Sequence, residues 1–552
     1  MGQQIIVGFD GATFALIDSW VAQRMLPHFA KLIKEGARAA LKSTIPPMSP
    51  QAWTTFQTGV NPGKHGIYGF MESDLHTPRR PVTSSSLKAP AFWKFFSKAG
   101  CRVGIVNVFA TYPPQPINGF IIAGRLVPSG KPFMFPSDLT DEITRNVGEY
   151  IVDIDPYHAE ENLRDISEED FLALLHKMMD IRIRTFHYLQ ETYHPDLFVI
   201  VFTVTDMVQH FFWHYLDPNH PRHPGPGNTP MHKAILDVYR ALDEFLGDVM
   251  NQMGSQDVLM VVSDHGFGPW YKELNLNYWL IENGWLALSN PNRPSRLLKD
   301  WTKRLLPRSL LRPIMQAYSY QRKRRHITQY QEKPFDWSRT KAFAHGHYGN
   351  IYINLQGREP FGIVKPGKEY EQVCDLICQG LEEWVNPLTG KPVVKRAWRK
   401  QELYYGPYLN YAPDIIIEWA DYAYVGSRAT NYRGPAVHDV HCFYHNLIQS
   451  GSHRPEGILL LKGPGVRPGY SSPPVNIQDV APTILYMGGL PIPSYMDGRV
   501  LVELFEDDFV RENPPCIVQM SLPGTQKGIS GDLSPEDSEE ILKRLRGLGY
   551  LE

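Results

Sequence analysis

Three apolar stretches of the chain end abruptly in acidic residues, and this pattern constrains the fold more than any other feature. The stretches are QIIVG before Asp10, LFVIVFTV before Asp206 and LMVVS before Asp264. Apolar runs of this length are typical of strands buried on both faces of a parallel sheet, and ligands bind at the carboxyl ends of such strands. We therefore expect an α/β fold in which the three carboxylates meet at one edge of a central, mostly parallel sheet.

Imidazoles accompany two of these carboxylates. His265 follows Asp264 directly, and His210 lies four residues after Asp206, a spacing that puts both side chains on one face of a helix. Taken alone, an aspartate after a strand more often caps a helix, and an Asp-His pair more often forms a turn. Three strand ends that together offer five nitrogen and oxygen ligands favour a metal site, of a kind that zinc or manganese accepts.

Two further residues complete the predicted site. Ser49, followed by Pro50, is predicted as the N-cap of a short helix that ends at Gly59. Capping is the simpler interpretation, but backbone amides and the helix dipole also favour anions there, so next to two metal ions Ser49 is a nucleophile candidate. His453, in the segment GSHRPEG before an apolar strand, is an imidazole placed in a loop at a strand's approach to the site.

The remaining chain indicates how the domains are arranged. Strands alternate with helical apolar spacing, as from Phe14 to Lys34, up to about residue 269, and the pattern returns after residue 440. Between these parts, a separate group of strands and one helix suits a smaller α+β unit. We predict a catalytic core formed by residues 1–269 and 441–552, with residues 270–440 inserted as a cap subdomain that binds substrate.

Charge and cysteine content limit the possible partners and the compartment. With 552 residues and a net charge of -2, the chain gives no general case for binding nucleic acid or an anionic membrane. One local exception, Arg293 to His326, has eleven Lys or Arg residues against the single acid Asp300. A solvated helical face is the simpler interpretation; a cover over an anionic substrate and a lipid-contacting face are the alternatives.

The cytoplasm is the expected compartment. No signal-peptide pattern follows the first methionine, no run of 18 apolar residues predicts a transmembrane segment, and five scattered cysteines argue against a disulfide framework. The oligomeric state stays open.

Four sequence blocks, in this order, resemble the alkaline phosphatase superfamily, and most closely its type I phosphodiesterase and nucleotide pyrophosphatase branch. They are FDGATF at Asp10, the Ser49 segment with TG-x-x-P-x-x-HGI downstream, TDMVQH from Thr205, and SDHGFG with the later GSHRPEG. The resemblance implies a three-layer sandwich with a central sheet. It also implies a metal site formed by Asp206, His210 and His453, and a second formed by Asp10, Asp264 and His265, with Ser49 bridging toward the second.

The chain departs from this family pattern at two positions. Related enzymes usually carry threonine where this chain has Ser49, and an asparagine that clamps the phosphoryl oxygen falls at Phe70. A sulfatase is disfavoured, because Ser49 is followed by Pro50-Gln51-Ala52 rather than the x-P-x-R that the sulfatase branch needs.

The expected function is that of a metal-dependent phosphoester hydrolase with a serine nucleophile and two divalent ions, zinc being favoured and manganese the alternative. A phosphodiesterase or nucleotide pyrophosphatase acting on a small molecule is favoured, because Phe70 offers apolar contact to a second substituent. A phosphomonoesterase or phosphomutase on the same metal centre is the alternative. A non-catalytic protein that uses the metals for stability or partner binding is a third interpretation.

Overall fold

The computed structural model describes residues 2–72, 80–154, 166–289, 335–345, 348–386, 389–420, 422, 424–426, 437–439, 443–444, 447–522 and 533–547. The basic stretch from Arg293 to His326 lies outside these described residues. None of the helices within the described ranges is both long and apolar enough to cross a membrane.

A ten-stranded sheet forms the centre of the molecule. Five neighbouring strands run parallel, in the spatial order Val258–Val262, Gln4–Phe9, Leu197–Phe202, Val103–Val106 and Gly119–Ile122. Beyond Val258–Val262 follow the antiparallel strand Glu456–Lys462 and then Ala37–Lys42, which pairs with Tyr470–Ser471 and Val475–Asn476; Met134–Phe135 lies at the other edge. The predicted mostly parallel sheet is therefore confirmed.

The strand register explains why the acidic residues meet. Gly8 pairs with Val201 on one side and with Val262 on the other, so the three central strands end at the same level. Every residue of strands Gln4–Phe9 and Leu197–Phe202 is buried. Burial on both faces requires continuous apolar sequence, and the polar residues follow only where the sheet edge is reached.

Helices cover both faces of this sheet. Successive side chains of a strand point to opposite faces, and Ile6 and Val7 accordingly belong to two different hydrophobic clusters. One helical layer contains Phe14–Ala22, Pro27–Glu35, Leu139–Asn146, Glu168–Tyr193, Val204–Leu216 and Pro230–Gln252; the other contains Ser49–Thr58, Trp93–Lys98, Val480–Met487 and Pro535–Gly547. The short helices Pro62–His65 and Asp507–Glu512 and the 3-10 turns Ile477–Asp479 and Val502–Leu504 complete this part.

A second, smaller sheet with its own hydrophobic core lies within the range predicted as the cap. Its four antiparallel strands are Ala342–His345, Asn350–Ile353, Ile415–Trp419 and Val394–Arg399, in this order, and helices Lys368–Glu382 and Leu276–Glu282 contribute to its core. Lys400–Leu403 and Leu409–Tyr411 are short helical turns beside it. The exact limits 270 and 440 stay a prediction.

Four small sheets complete the described strands. Gly266–Pro269 pairs with Gly451–Arg454, Lys272–Leu274 with Tyr424–Gly426 and Val437–Asp439, Phe443–Tyr444 with Leu447–Ile448, and Ile492–Pro493 with Ile517–Val518. The first of these pairs brings Gly451–Arg454, and with it His453, to the edge of the central sheet.

Three local predictions were wrong. The single helix expected from Phe14 to Lys34 is two helices, because Pro27 starts a new one and cannot continue the first. Ser49 is the first residue of its helix rather than the N-cap, which is Met48. A histidine outside the proposed ligand set is predicted by default at the surface or in a loop, but His214 is buried, and its Nδ1 lies 3.0 Å from the hydroxyl of Ser450.

Candidate metal centre

Asp206, His210 and His453 form a first buried cluster at the carboxyl edge of the sheet. The Oδ1 atom of Asp206 lies 3.3 Å from Nε2 of His210 and 3.1 Å from Nε2 of His453. The two Nε2 atoms are themselves 3.1 Å apart. Asp206 and His210 come from helix Val204–Leu216, with the four-residue spacing noted in the sequence, whereas His453 comes from Gly451–Arg454.

The contacts of the Nδ1 atoms show which ring nitrogen of His210 and of His453 carries a proton. Nδ1 of His210 lies 2.9 Å from the carbonyl oxygen of Gly451, and Nδ1 of His453 lies 2.8 Å from that of Pro47. Because a carbonyl only accepts, each Nδ1 donates its proton, and each Nε2 presents a lone pair when the ring is neutral or donates to Asp206 when the ring carries a second proton. Two lone pairs facing each other beside a carboxylate oxygen fit a shared cation rather than a hydrogen bond.

Asp10, Asp264 and His265 form the second cluster. Nε2 of His265 lies 3.4 Å from Oδ1 of Asp10 and 3.4 Å from Oδ2 of Asp264, and its Nδ1 donates to the carbonyl of Gly266 at 3.1 Å. Within the described chain, these two carboxylate oxygens are buried and accept no hydrogen bond. Buried polar atoms are normally satisfied, so the orphaned oxygens and the lone pair of His265 fit a divalent cation.

The outer oxygens of this second cluster are held by donors. Nε1 of Trp53 donates to Oδ2 of Asp10 at 3.1 Å, and the backbone N–H of Gly11 donates to Oδ1 of Asp264 at 3.4 Å. Each carboxylate therefore has one oxygen fixed by the protein, while the other is directed toward His265.

Ser49 lies directly beside the second cluster. Its hydroxyl oxygen is 3.1 Å from Nε2 of His265 and is buried, at the start of helix Ser49–Thr58. Since Nε2 carries a lone pair, the hydroxyl donates to it. The rings of His265 and His453 stack with centroids 3.6 Å apart, so the two clusters adjoin through the imidazole that Ser49 contacts.

The electrostatics of the two clusters differ. Burial, together with the charge of Asp206, raises the pKa of Asp10 to about 7, and burial with the charge of Asp10 raises the pKa of Asp264 well above its usual range. Burial also acts on Asp206, but its contacts with His210 and His453 outweigh burial and hold its pKa well below the usual value. Burial lowers the pKa of both His265 and His453, which favours the neutral imidazole that binds metals.

A model of the type I phosphodiesterase/nucleotide pyrophosphatase family matches residues 4–441 of the chain. The chain belongs to this family. It is thus an enzyme of the phosphoric ester hydrolase type, from a metal-dependent family.

Solved structures show a corresponding fold at low sequence identity. Phosphonoacetate hydrolase from Sinorhizobium meliloti is 14% identical, with a TM-score of 0.50 over 87% of this chain and 94% of that one. Human ectonucleotide pyrophosphatase/phosphodiesterase 5 is also 14% identical, with a TM-score of 0.45 over 93% of this chain and 99% of that one. No curated protein sequence matches the chain. At 14% identity, the similarity to phosphonoacetate hydrolase shows the fold alone.

Sequence reasoning missed three side chains that surround the clusters of this phosphodiesterase-family enzyme. The ring of Phe267 packs 4.8 Å from that of His210 and 5.5 Å from that of His453. Tyr348, from the smaller sheet's region, lies 5.5 Å from the ring of His453. Arg125 lies 3.9 Å from Oδ2 of Asp206. Of the three, Arg125 could have been proposed from local sequence pattern, because like Asp10 it follows an apolar strand of the parallel sheet.

The sequence leaves open whether Lys64, Asn107, His345 and His347 face the metals, and in the structure the first two have other partners. Nζ of Lys64 donates to a carboxylate oxygen of Asp497 and, at 2.8 Å, to the carbonyl of Tyr495. Asn107 contacts the hydroxyl of Tyr150 at 3.3 Å.

Three further residues were considered for the site: His345, His347 and Phe70. His345 ends a strand of the smaller sheet, and His347 lies outside the described residues. Phe70, at the position of the family's asparagine clamp, is buried against Phe109 with ring centroids 5.9 Å apart.

A third group of possible ligands, His28, Asp243 and Glu244, has a structural explanation. The carboxylate of Asp243 accepts the backbone N–H groups of His28 at 3.1 Å and Phe29 at 2.7 Å, at the start of helix Pro27–Glu35. Satisfying these first amides of a helix is a capping role. Glu244 is exposed, so this group lacks the enclosure of the other two clusters.

Proposed function

We propose that this enzyme hydrolyses phosphodiester or pyrophosphate bonds of a small molecule, with Ser49 as the nucleophile. The observation that carries the proposal is the position of the Ser49 hydroxyl, 3.1 Å from Nε2 of His265 and beside the orphaned oxygens of Asp10 and Asp264. A buried hydroxyl beside one of two adjoining ligand clusters suits attack on a phosphorus atom.

Two divalent ions would be held by the two clusters: one by Asp206, His210 and His453, the other by Asp10, Asp264 and His265 with Ser49. When bound, such ions supply positive charge that lowers the pKa of the serine hydroxyl and stabilises the attacking and leaving oxygens. Three imidazoles among these seven proposed ligands favour zinc, and manganese is the alternative.

The residues of the chain then have separate tasks. Ser49 forms a bond to phosphorus as the leaving oxygen departs, and water cleaves the resulting seryl ester in a second displacement. Backbone amides in the first turn of helix Ser49–Thr58 lie where a non-bridging oxygen of the substrate would bind. A diester or pyrophosphate is favoured over a monoester because the chain belongs to the type I phosphodiesterase/nucleotide pyrophosphatase family.

The test compares three proteins on two substrates. Wild type, Ser49→Ala and Ser49→Thr are assayed with bis-p-nitrophenyl phosphate and p-nitrophenyl phosphate, with Zn²⁺ or Mn²⁺ added. We expect wild type to favour the diester, Ser49→Ala to lose turnover while retaining its metals, and Ser49→Thr, which restores a hydroxyl, to retain activity.

Each deviation has its own meaning. Parental activity in Ser49→Ala would show that Ser49 is not the nucleophile. Preference for the monoester would favour a phosphomonoesterase or phosphomutase. No turnover of either ester by metal-loaded wild type would favour the non-catalytic interpretation.

We also propose that the enzyme works in the cytoplasm. The four described cysteines, Cys101, Cys374, Cys378 and Cys516, are free thiols, which suits a reducing compartment. Cell fractionation tests this proposal, and recovery of the protein in an extracellular or periplasmic fraction would contradict it.

A further inference from the structure

Arg125 is a buried cation next to the first cluster that the proposed mechanism does not use. It follows the strand Gly119–Ile122, and its side chain is only 5% exposed. Its Nη2 atom lies 3.9 Å from Oδ2 of Asp206, and its Nε atom lies 3.2 Å from Oδ2 of Asp153. The guanidinium therefore lies between two buried carboxylates, one of them a proposed metal ligand.

The two oxygens of Asp206 face different partners. Oδ1 is directed at the Nε2 atoms of His210 and His453, at 3.3 and 3.1 Å, while Oδ2 faces Arg125. A carboxylate that is attracted on its far side by a fixed cation has less freedom to rotate. The near oxygen is then kept at the position that the two imidazoles define.

Asp153, the second carboxylate beside Arg125, lies in a segment that is held in place by another buried arginine, Arg182. Nη2 of Arg182 donates to the carbonyl of Val152, next to Asp153, at 3.0 Å. Nη1 of Arg182 donates to the hydroxyl of Thr203 at 3.1 Å, where the helix that carries Asp206 begins. The same two segments are thus tied together twice, once through Arg182 and once through Arg125.

We propose that Arg125, anchored on Asp153, is a positioning residue that holds Asp206 in the orientation needed to bind metal together with His210 and His453. This inference rests on the proposed function, since it takes these three residues as metal ligands. The Arg125–Asp153 pair adds no net charge to the site, so its contribution is geometric. Partners that orient a metal ligand in this way contribute about 10- to 100-fold to metal affinity.

A charge-neutral double substitution separates geometry from electrostatics. Loss of Arg125 alone removes a cation and would by charge alone tighten binding of a metal ion. Arg125→Met combined with Asp153→Asn removes one charge of each sign, so only the orientation of Asp206 is altered. Arg358→Met is the control, because Arg358 is a partly buried arginine whose carboxylate partner, Asp414 in the smaller sheet's region, is not one of the proposed ligands.

Zn²⁺ alone is the probe, titrated into chelator-treated protein against a chromophoric competitor, with circular dichroism as a check of folding. Wild type should show two binding steps. We expect the double variant to weaken one step by about 10- to 100-fold and to leave the other unchanged. Arg358→Met should bind at both steps like wild type.

The outcomes separate the two proposals. Unchanged binding at both steps by the folded double variant, or equal weakening of both, would overturn the role of Arg125 while leaving the proposed function intact. Absence of any stoichiometric Zn²⁺ binding by wild type would overturn the proposed function itself. If the double variant does not fold, Arg125→Lys replaces it. Lysine keeps the positive charge but has a single nitrogen, which cannot contact Asp153 and Asp206 as the guanidinium does. This variant should weaken the same single step.

Discussion

The two ligand clusters of this enzyme lie side by side, yet they are prepared for a cation in different ways. The first has one carboxylate and two imidazoles, whose Nδ1 atoms donate to backbone carbonyls, and the pKa of Asp206 is held low. The second has two carboxylates and one imidazole, and the pKa values of Asp10 and Asp264 are raised by burial. The carboxylate of the first cluster is thus ionised near neutral pH even without a bound metal ion, whereas the two carboxylates of the second cluster need a cation to become fully ionised.

Removing a ligand from either cluster should have the largest effect. We expect His210→Ala and Asp264→Ala each to lose one of two bound metal ions and to lower diester hydrolysis by more than about 100-fold, because even partners outside the ligand shell contribute that much. Elemental analysis and steady-state turnover measure both effects. Loss of both ions from either variant would show that the clusters form one site rather than two.

The difference in pKa predicts opposite effects of neutralising each carboxylate in metal-free protein. The pKa of Asp10 rises on folding from 3.8 to about 7, so its stabilising contribution is complete below pH 3.8 and is lost as the pH rises through 7. Asp10→Asn should therefore reduce the fall in unfolding free energy between pH 6 and 8. The pKa of Asp206 falls on folding, so its stabilising contribution is present above pH 3.8, and Asp206→Asn should lower the unfolding free energy at pH 7.

Urea unfolding in the presence of a chelator, at pH 6 and pH 8, measures this contrast. Adding Zn²⁺ to wild type should remove the pH dependence that Asp10 causes, because a bound cation replaces the proton. Equal pH profiles for wild type and Asp10→Asn would show that the second cluster does not differ from the first in this way.

A weaker effect is expected at the donor that holds the second cluster. Trp53→Phe removes the hydrogen bond to Oδ2 of Asp10 while keeping an aromatic ring, and we expect one Zn²⁺ binding step to weaken by about tenfold. It should be the step that the Arg125 and Asp153 double variant leaves unchanged. Weakening of the same step by both variants would contradict the assignment of Trp53 and Arg125 to different clusters.

The smallest effect is expected at Tyr348, whose ring lies 5.5 Å from that of His453. Aromatic contacts of this kind contribute about 0.5–1.5 kcal/mol, so Tyr348→Ala should weaken Zn²⁺ binding by a few-fold. Tyr348→Phe keeps the ring and should bind like wild type in the same competition assay. An equal loss in both variants would indicate that the hydroxyl, rather than the ring, contributes.

Much of the sheet could be predicted because parallel strands are read from continuous apolar sequence. Asp10, Asp206 and Asp264 each follow such a run, and the level register of the three strands brings them together. His210 was predictable from its helical spacing. These residues share one property: each lies within a few residues of the element that positions it.

Side chains that depend on distant pairing could not be derived from local pattern. His453 was expected in a loop, but it lies in a strand that pairs with Gly266–Pro269 almost two hundred residues earlier, where it faces Phe267 in register. Its place before an apolar strand made His453 a candidate, and the family resemblance assigned it to the first cluster. Tyr348 reaches the first cluster from the region of a different sheet, and no apolar period or motif in its own segment indicates this.

The most direct measurement is the metal content of wild-type protein after chelation, reconstitution with Zn²⁺ and removal of unbound ions by gel filtration. If Asp206, His210 and His453 hold one ion and Asp10, Asp264, His265 and Ser49 hold another, elemental analysis should find two zinc ions per chain. A value of one or fewer would contradict the two-ion centre on which the proposed mechanism depends.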